Sequence, residues 1–267
     1  MKADYMEGWA GRTIIRKDCV DSTNEEAKRG GEAGAEHGTV YCAKSQTAGK
    51  GRRGRSWLSA SENNLYFTLL LRPQLKPESV SMLTLVMAQA VAEAIKEKAG
   101  LPVGIKWPND IVVSKKKVCG ILSEMKLEQQ ECAYCVIGVG INVEQASFPE
   151  ELKDKATSLY EEMNTSKGEI SHRKPKTEDL LISILSHFEE LYESVSEAKS
   201  LLPMQERYNA LLVNKDNEVR VLEPGNAYNG VARGITPFGE LLVERTDHSL
   251  EKVYAGEVSV RGLYGYV

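Results

Sequence analysis

The sequence predicts an α+β fold: a larger α/β part followed by a small C-terminal β-barrel. Three observations carry this. Blocks rich in β-branched and aromatic residues come early and recur through residue 143. Two segments repeat apolar residues at helical spacing. From about residue 214 the chain changes to period-two alternation with frequent turns.

The first strands are "RTIIRK" (12–17), "GTVYCAK" (38–44) and "NLYFTLLL" (64–71), each bounded by Gly, Asn or Pro. Pro77 then opens a helix whose Leu83, Val86, Met87, Ala90, Val91, Ala94 and Ile95 share a stripe, and Gly100 with Pro102 ends it. A second β block comes next in "VGIKW", "DIVV", "KVCGILSEMKL" and "CAYCVIGVGINV". The polar stretch 161–178 reads as an exposed loop. A helix then aligns Leu181, Ile184, Leu185, Phe188 and Leu191, and a shorter one spans about 203–212. "EVRVL", "NGVARGI", "GELLVE", "EKVYA" and "EVSVRG" supply the barrel strands. The expected domains are therefore 1–213 and 214–267.

A chain of 267 residues with 42% hydrophobic and 27% charged residues can bury a full core. The net charge of -4 argues against a general nucleic-acid binder. No apolar run approaches the roughly 20 residues of a membrane span, and the N-terminus has no apolar signal core. Five scattered cysteines suit reduced thiols in a cytoplasm. Cys132-x-x-Cys135 falls in an expected strand, where residues three apart face opposite sides, so plain thiols are expected. The four histidines show no ligand spacing.

Against this acidic background, "GKGRRGRS" (49–56) concentrates four cations among three glycines. It lies one residue from the phosphate-binding pattern G-x-x-x-x-G-K-[ST], but "SWLSASENNLYFTLLL" (56–71) reads as loop then strand, where that pattern requires a helix. A solvated loop, an Arg/Gly nucleic-acid patch and a loop closing over a phosphate-bearing ligand remain. Other segments point the same way as the last. "KWPNDI" (106–111) groups a cation, an amide and a carboxylate at a turn. "KVCGIL" (117–122) sets a glycine inside an apolar strand, a mark of close approach by a ligand. "DSTNEEAK" (21–28) offers two hydroxyls at a helix start, where Thr23 with Glu26 also fits a capping box. "GVGIN" (138–142) is no dinucleotide fingerprint.

In this order, with Gln46, Trp57, Asn64-Leu65-Tyr66 and the C-terminal "NGVARGITPFGELLVE" and "AGEVSVR", these segments resemble the biotin protein ligases over residues 12–265. The family's loop carries Arg where this chain has Lys50, which keeps the charge and loses the planar fork. The resemblance implies a mixed sheet flanked by helices, of the class II aminoacyl-tRNA synthetase kind, with an SH3-like barrel. It implies an enzyme that activates biotin with ATP and Mg²⁺ as biotinyl-5′-AMP. The biotinyl group then passes to one lysine of a biotin carboxyl carrier protein. Lys117, Arg52 and Asp110 would be catalytic, with Arg55 and Mg²⁺ adding positive charge. Ser22, Thr23, Asn24, Gln46, Gly49, Lys50, Gly51, Arg52, Trp57, Lys117 and Gly120 would bind biotin. Arg52, Arg53, Arg55, Trp57, Asn109, Asp110, Lys117 and Asn142 would bind ATP, with Asp110 touching the metal. Trp57 reads equally as a core residue. Arg261 and Glu257 would tie the barrel to the site. Some family members carry an N-terminal DNA-binding domain. Twenty residues precede Asp21, so a cytoplasmic ligase with no DNA or membrane partner, able to form a homodimer, is expected. A lipoate ligase shares the adenylation logic and stays open beside it.

Overall fold

The structure is a computed structural model that describes residues 8–59, 61–145, 147–165, 175–223, 226–255 and 259–262. Its centre is a seven-stranded mixed sheet of order β1-β2-β3-β7-β6-β5-β4. The strands are β1 (Ile14–Val20), β2 (Val40–Gln46), β3 (Leu65–Leu71), β4 (Val103–Lys106), β5 (Asp110–Val113), β6 (Lys116–Glu128) and β7 (Glu131–Ile141). Among these strands only β1 and β2 pair in parallel, with helix α1 (Thr23–Glu32) crossing between them. That helix covers one face of the sheet, where Ala27 packs with Tyr41, Leu70, Tyr134 and Val136.

The opposite face is larger and mostly apolar, with Ser123 of β6 bonded to Thr84 at 2.6 Å. Helix α2 (Met82–Ala99) lies between the sheet and α4 (Thr177–Ala198). Its buried positions run from Met82 to Ala99 and wrap most of the helix, as expected for one packed on several sides. Gly100 ends it in the left-handed conformation at φ 65°. The segment Pro77–Ala99 is long and apolar enough to cross a membrane, a feature the residue-by-residue reading does not find. Of its most apolar stretch, 78% is buried inside this fold, so a protein core already covers it. The stretch expected as loop after 161 holds the end of α3 (Leu159–Thr165), and residues 166–174 lie outside the described residues.

Helix α5 (Leu202–Leu211) leads into a five-stranded antiparallel sheet, order β11-β10-β9-β8-β12, where the sequence expects the barrel. Its strands are β8 (Glu218–Glu223), β9 (Asn226–Ile235), β10 (Leu241–Glu244), β11 (Leu250–Val253) and β12 (Ser259–Gly262). Trp107 fastens this sheet to the first. It is 2% exposed, its Nε1 donates to the Gly239 carbonyl at 3.1 Å, and its backbone N–H donates to Asn214 Oδ1 at 2.9 Å. Glu257 lies outside the described residues; Arg261 pairs with Arg220 in the β12–β8 register.

One strand departs from the expected alternation. Leu127 pairs with Cys132 but Lys126 pairs with Tyr134, so Ala133 is an extra residue in β7. The bulge turns Cys132 and Cys135 to the same face, against the expectation of opposite faces: both belong with the α2–α4 core, while Ala133, Tyr134 and Val136 belong with the α1 side.

Trp107→Phe keeps most of the ring burial but leaves the Gly239 carbonyl unpartnered. Urea unfolding should show a loss of about 1–3 kcal/mol, against about 3–5 for Trp107→Ala. An unchanged midpoint for Trp107→Phe would mean that this hydrogen bond does not hold the two sheets together.

Candidate active site

A cleft with about 440 Å³ of space, counting its open mouth, lies on the α1 face of the sheet. Its floor is made by register. Gly138 and Gly140 are two apart on β7 and share that face. Gly120 of β6 stands opposite Gly140, and Leu122 opposite Gly138. On the other side β3 sets Thr68 beside Gly138. Neighbouring side chains lie directly against this bare backbone. A Cβ on Gly138 would stand 1.9 Å from Asn24 Oδ1, and one on Gly140 2.5 Å from Trp57 Nε1. A Cβ on Gly120 would stand 2.9 Å from both Lys117 Nζ and the Trp57 ring.

The neutral end of the cleft gathers hydroxyls and amides at the start of α1. Ser22, not Thr23, caps that helix: its Oγ accepts from the Asn24 N–H at 3.3 Å. Thr23 is thereby released from the expected capping role. Its N–H and hydroxyl donate to Gln46 Oε1 at 2.8 and 3.2 Å, and Gln46 Nε2 donates to Ser59 at 2.8 Å. Thr68 donates to Asn24 Oδ1 at 2.7 Å, and Asn24 Nδ2 donates to Glu124 at 2.8 Å. Ser22, Thr23 and Asn24 are all buried, so this end is a fixed array of donors and acceptors. Asp21 sits outside it. Arg29 grips its carboxyl and holds it down at about 2, which makes it an anchor for the helix start.

The charged end is built by the turn between β4 and β5 and the first residues of β6. Lys117 Nζ lies 2.6 Å from Asp110, with side chains 23% and 15% exposed, so the pair is only partly screened by water. The ammonium also lies 5.1 Å from the centroid of the Trp57 ring. Asn109 extends the β5–β6 ladder, accepting from Ile121 N–H at 2.9 Å and donating from Nδ2 to its carbonyl at 3.0 Å. The oxygen of that side-chain amide accepts from Arg52 Nη1 at 3.0 Å. Burial pushes the Arg52 guanidinium below its usual value, and Asp110 pulls it back.

The glycine–arginine loop is a small hairpin. Trp57 N–H donates to the Gly49 carbonyl at 2.8 Å, and Gly51 N–H to the Arg55 carbonyl at 2.7 Å. Arg52–Gly54 forms a single tight turn with Arg53 and Gly54 in the left-handed region. Arg52 also donates to the Ala255 carbonyl, which ties the loop to the C-terminal sheet. Lys50 pairs with Glu25 of α1. Glu25 shares Lys28 with Glu124 at 2.7 Å each, so a line of alternating charges runs outward from Lys50 at the cleft to Glu124.

Ser22, Thr23, Asn24, Gln46, Lys50, Gly51, Arg52, Trp57, Asn109, Lys117 and Gly120 line the cleft together. Gly49 supports it from behind, since a Cβ there would meet the Trp57 carbonyl at 2.6 Å. Arg53 and Arg55 are exposed to solvent. Asp110 reaches the cleft through Lys117. Asn142, 5% exposed, donates to the Thr157 carbonyl at 3.1 Å and does not line it. The residue reading misses Thr68, Gly138 and Gly140. A signal is present: Gly-x-Gly in a strand marks a bare stripe on one face.

A family model described as the biotin/lipoate A/B protein ligase family matches residues 17–142, and one described as the biotin protein ligase C terminal domain matches 216–261. The bifunctional ligase/repressor BirA of Bacillus spizizenii is 34% identical over 252 residues, covering 94% of this chain and 74% of that protein. A biotin–[acetyl-CoA-carboxylase] ligase of Mycobacterium tuberculosis is 29% identical over 243 residues, covering 89% and 84%. The structure of the Aquifex aeolicus biotin protein ligase in complex with biotin and ATP superposes with a TM-score of 0.79 at 32% identity, covering 94% of this chain and 99% of that one.

The cap assignment has a direct check. Ser22→Ala should lower stability by about 0.5–2 kcal/mol in thermal melts, and Ser22→Asp should restore it, because Asp caps as well as Ser. If Thr23→Val behaves like Ser22→Ala and Ser22→Asp restores nothing, the cap is not Ser22.

Proposed function

The chain belongs to the biotin protein ligases, and from that premise we infer that its cleft joins biotin to ATP as biotinyl-5′-AMP and passes the biotinyl group to a lysine of a carboxylase's carrier protein. The observation that carries this is the polarity of the cleft. One end is a neutral hydrogen-bonding array, the other a desolvated cation pair, and the floor between them is bare glycine backbone.

That polarity fits the two substrates. A ureido ring is neutral and needs donors and acceptors together; Ser22, Thr23, Asn24 and Gln46 offer both. A carboxylate approaching a triphosphate meets like charge, at roughly 4 kcal/mol per pair at ~4 Å and an effective dielectric of 20. Lys117 and Arg52 stand at the end where that repulsion would fall, already stripped of much of their water and fixed by Asp110 and Asn109. Cations held in place before the reaction cost no reorganisation during it. Lys117 is the residue we assign to the carboxylate and α-phosphate. Trp57, stacked against Lys117 and the glycine floor, would cover the acyl chain.

Mg²⁺ fits here as a partner of the nucleotide. Among the described residues no group of three His, Cys, Asp or Glu side chains stands together, and a metal carried by phosphate oxygens needs little more than Asp110. Bound there, it would neutralise phosphate charge. We assign Arg53, Arg55 and Asn142 to the nucleotide only as outer groups. The C-terminal sheet, from about residue 214, we read as a separate unit that backs the loop through Ala255. A cytoplasmic setting suits an ATP-consuming reaction and five free cysteines.

ATP–pyrophosphate exchange tests the whole reading: it should depend on biotin and not on lipoate, and exchange driven by lipoate alone would overturn it. Lys117→Ala should lower biotin-dependent exchange about 10²–10³-fold in a chain that still unfolds cooperatively; near wild-type exchange would remove Lys117 from the reaction. Arg52→Gly cuts the tether between loop, turn and C-terminal sheet. Loss of charged hydrogen bonds worth about 1.5–3 kcal/mol should raise the adenylate off-rate some 10- to 100-fold and let biotin label bystander lysines. An unchanged off-rate would mean that Arg52 does not retain the intermediate.

A further inference from the structure

The ligase reaction makes no use of Cys132-Ala133-Tyr134-Cys135. In an unbroken strand residues three apart face opposite ways and stand about 10 Å apart. Disulfide-linked residues have Cα atoms roughly 4.4–6.8 Å apart. The bulge at Ala133 changes both conditions. It turns the two cysteines to one face of β7 and shortens the run between them. Their partners on β6, Leu127 and Met125, stand only two residues apart, which is roughly 7 Å at about 3.4 Å per residue.

We propose that Cys132 and Cys135 form a vicinal dithiol that a hydroperoxide closes into a reversible disulfide. Cys132 is the half-buried member and the one an oxidant reaches; Cys135 is fully buried beside it. The Cys132 sulfur attacks the peroxide O–O bond, giving a sulfenic acid and releasing an alcohol, or water from hydrogen peroxide. The Cys135 sulfur then displaces the sulfenic oxygen as water. Two thiols and one hydroperoxide give one disulfide, one alcohol and one water, and the two electrons lost by the sulfurs reduce the peroxide.

The surroundings favour this pair over the other thiols. The neighbouring Cys135 thiol lowers the pKa of Cys132, toward the reactive thiolate, and is itself raised by Cys132 and by burial, which leaves Cys132 as the attacking sulfur; burial pushes the Cys42 thiol up to about 12 and that of Cys119 higher still. Cys19 is exposed. Closing the ring requires the bulge to tighten, and its position permits that. It lies close to the Gln129–Gln130 turn, at a hairpin end where Met125 and Leu127 are nearly half exposed and Glu128 and Glu131 are exposed as well.

The test uses the full chain with hydrogen peroxide as oxidant, followed by alkylation and peptide mass mapping. The expected product is a 132–135 peptide lighter by two hydrogens, unalkylated, and restored by dithiothreitol. Cys135→Ser should instead accumulate a Cys132 sulfenic acid that dimedone traps. Should that variant unfold, phenylarsine oxide on the unmutated chain decides the geometry. It should bind one to one and protect both cysteines from alkylation. Stepwise oxidation of Cys132 to sulfinic acid with Cys135 still alkylatable, or no arsenical bridging of the two, would overturn the proposal. Neither readout depends on ligase activity.

Discussion

The pairing of β6 with β7 is the constraint on which the rest of the site depends. Gly120 opposite Gly140 and Leu122 opposite Gly138 leave three of these four positions without a side chain. Into that space come the Asn24 amide, the Trp57 indole and the stem of Lys117. A slip of one residue would turn Val139 and Ile121 into the cleft and the glycines into the α2–α4 core. The apolar face prevents this, because Cys119, Ile121, Ile137, Val139 and Ile141 are buried on it. The large hydrophobic core thus fixes the polar site through strand register.

The charged end obeys a second constraint: cations out of water must be paired. Lys117 has Asp110, Arg52 has Asn109 and the Ala255 carbonyl, and Lys50 has Glu25. Each partner belongs to a different element, so the pairings also fix the loop against the turn, the C-terminal sheet and α1. Partly buried pairs of this kind contribute little net stability, since desolvation offsets much of the attraction. Their effect is positional. Lys50 is a case in point. It keeps the charge of a loop that is usually arginine there, and a single ammonium suffices for its one carboxylate partner.

Strand order, the helices other than α3, the switch to period two near residue 214, and the motifs that line the cleft are legible in spacing and composition. The features that are not legible have specific causes. Thr-x-x-Glu fits the capping pattern at Thr23; one residue earlier, Ser22 fits the geometry, and the pattern alone cannot choose between adjacent hydroxyls. The glycines 138 and 140 show in the sequence as Gly-x-Gly, but their cross-strand register with Gly120 is a tertiary fact that no linear reading gives. The contact of the Asn142 amide with the Thr157 carbonyl, beside the start of β6, likewise joins residues that no spacing pattern relates.

The bulge at Ala133 is the hardest of these features to read, and it has the widest reach. Alternation in β7 is regular from Cys135 to Ile141 and regular again from Glu131 to Cys132, but the two runs are out of phase. An uninterrupted strand would have to place either Cys132 or the whole run from Cys135 on the wrong face. One extra residue lets Tyr134 pack on the α1 side, where its hydroxyl donates to Glu32 at 2.8 Å, without disturbing the glycine stripe that begins four residues later. Sequence periodicity averages over such a phase change and reports a single strand. The same residue that protects the phase of the cleft floor brings the two thiols together, so their proximity is a consequence of how the floor is kept in register.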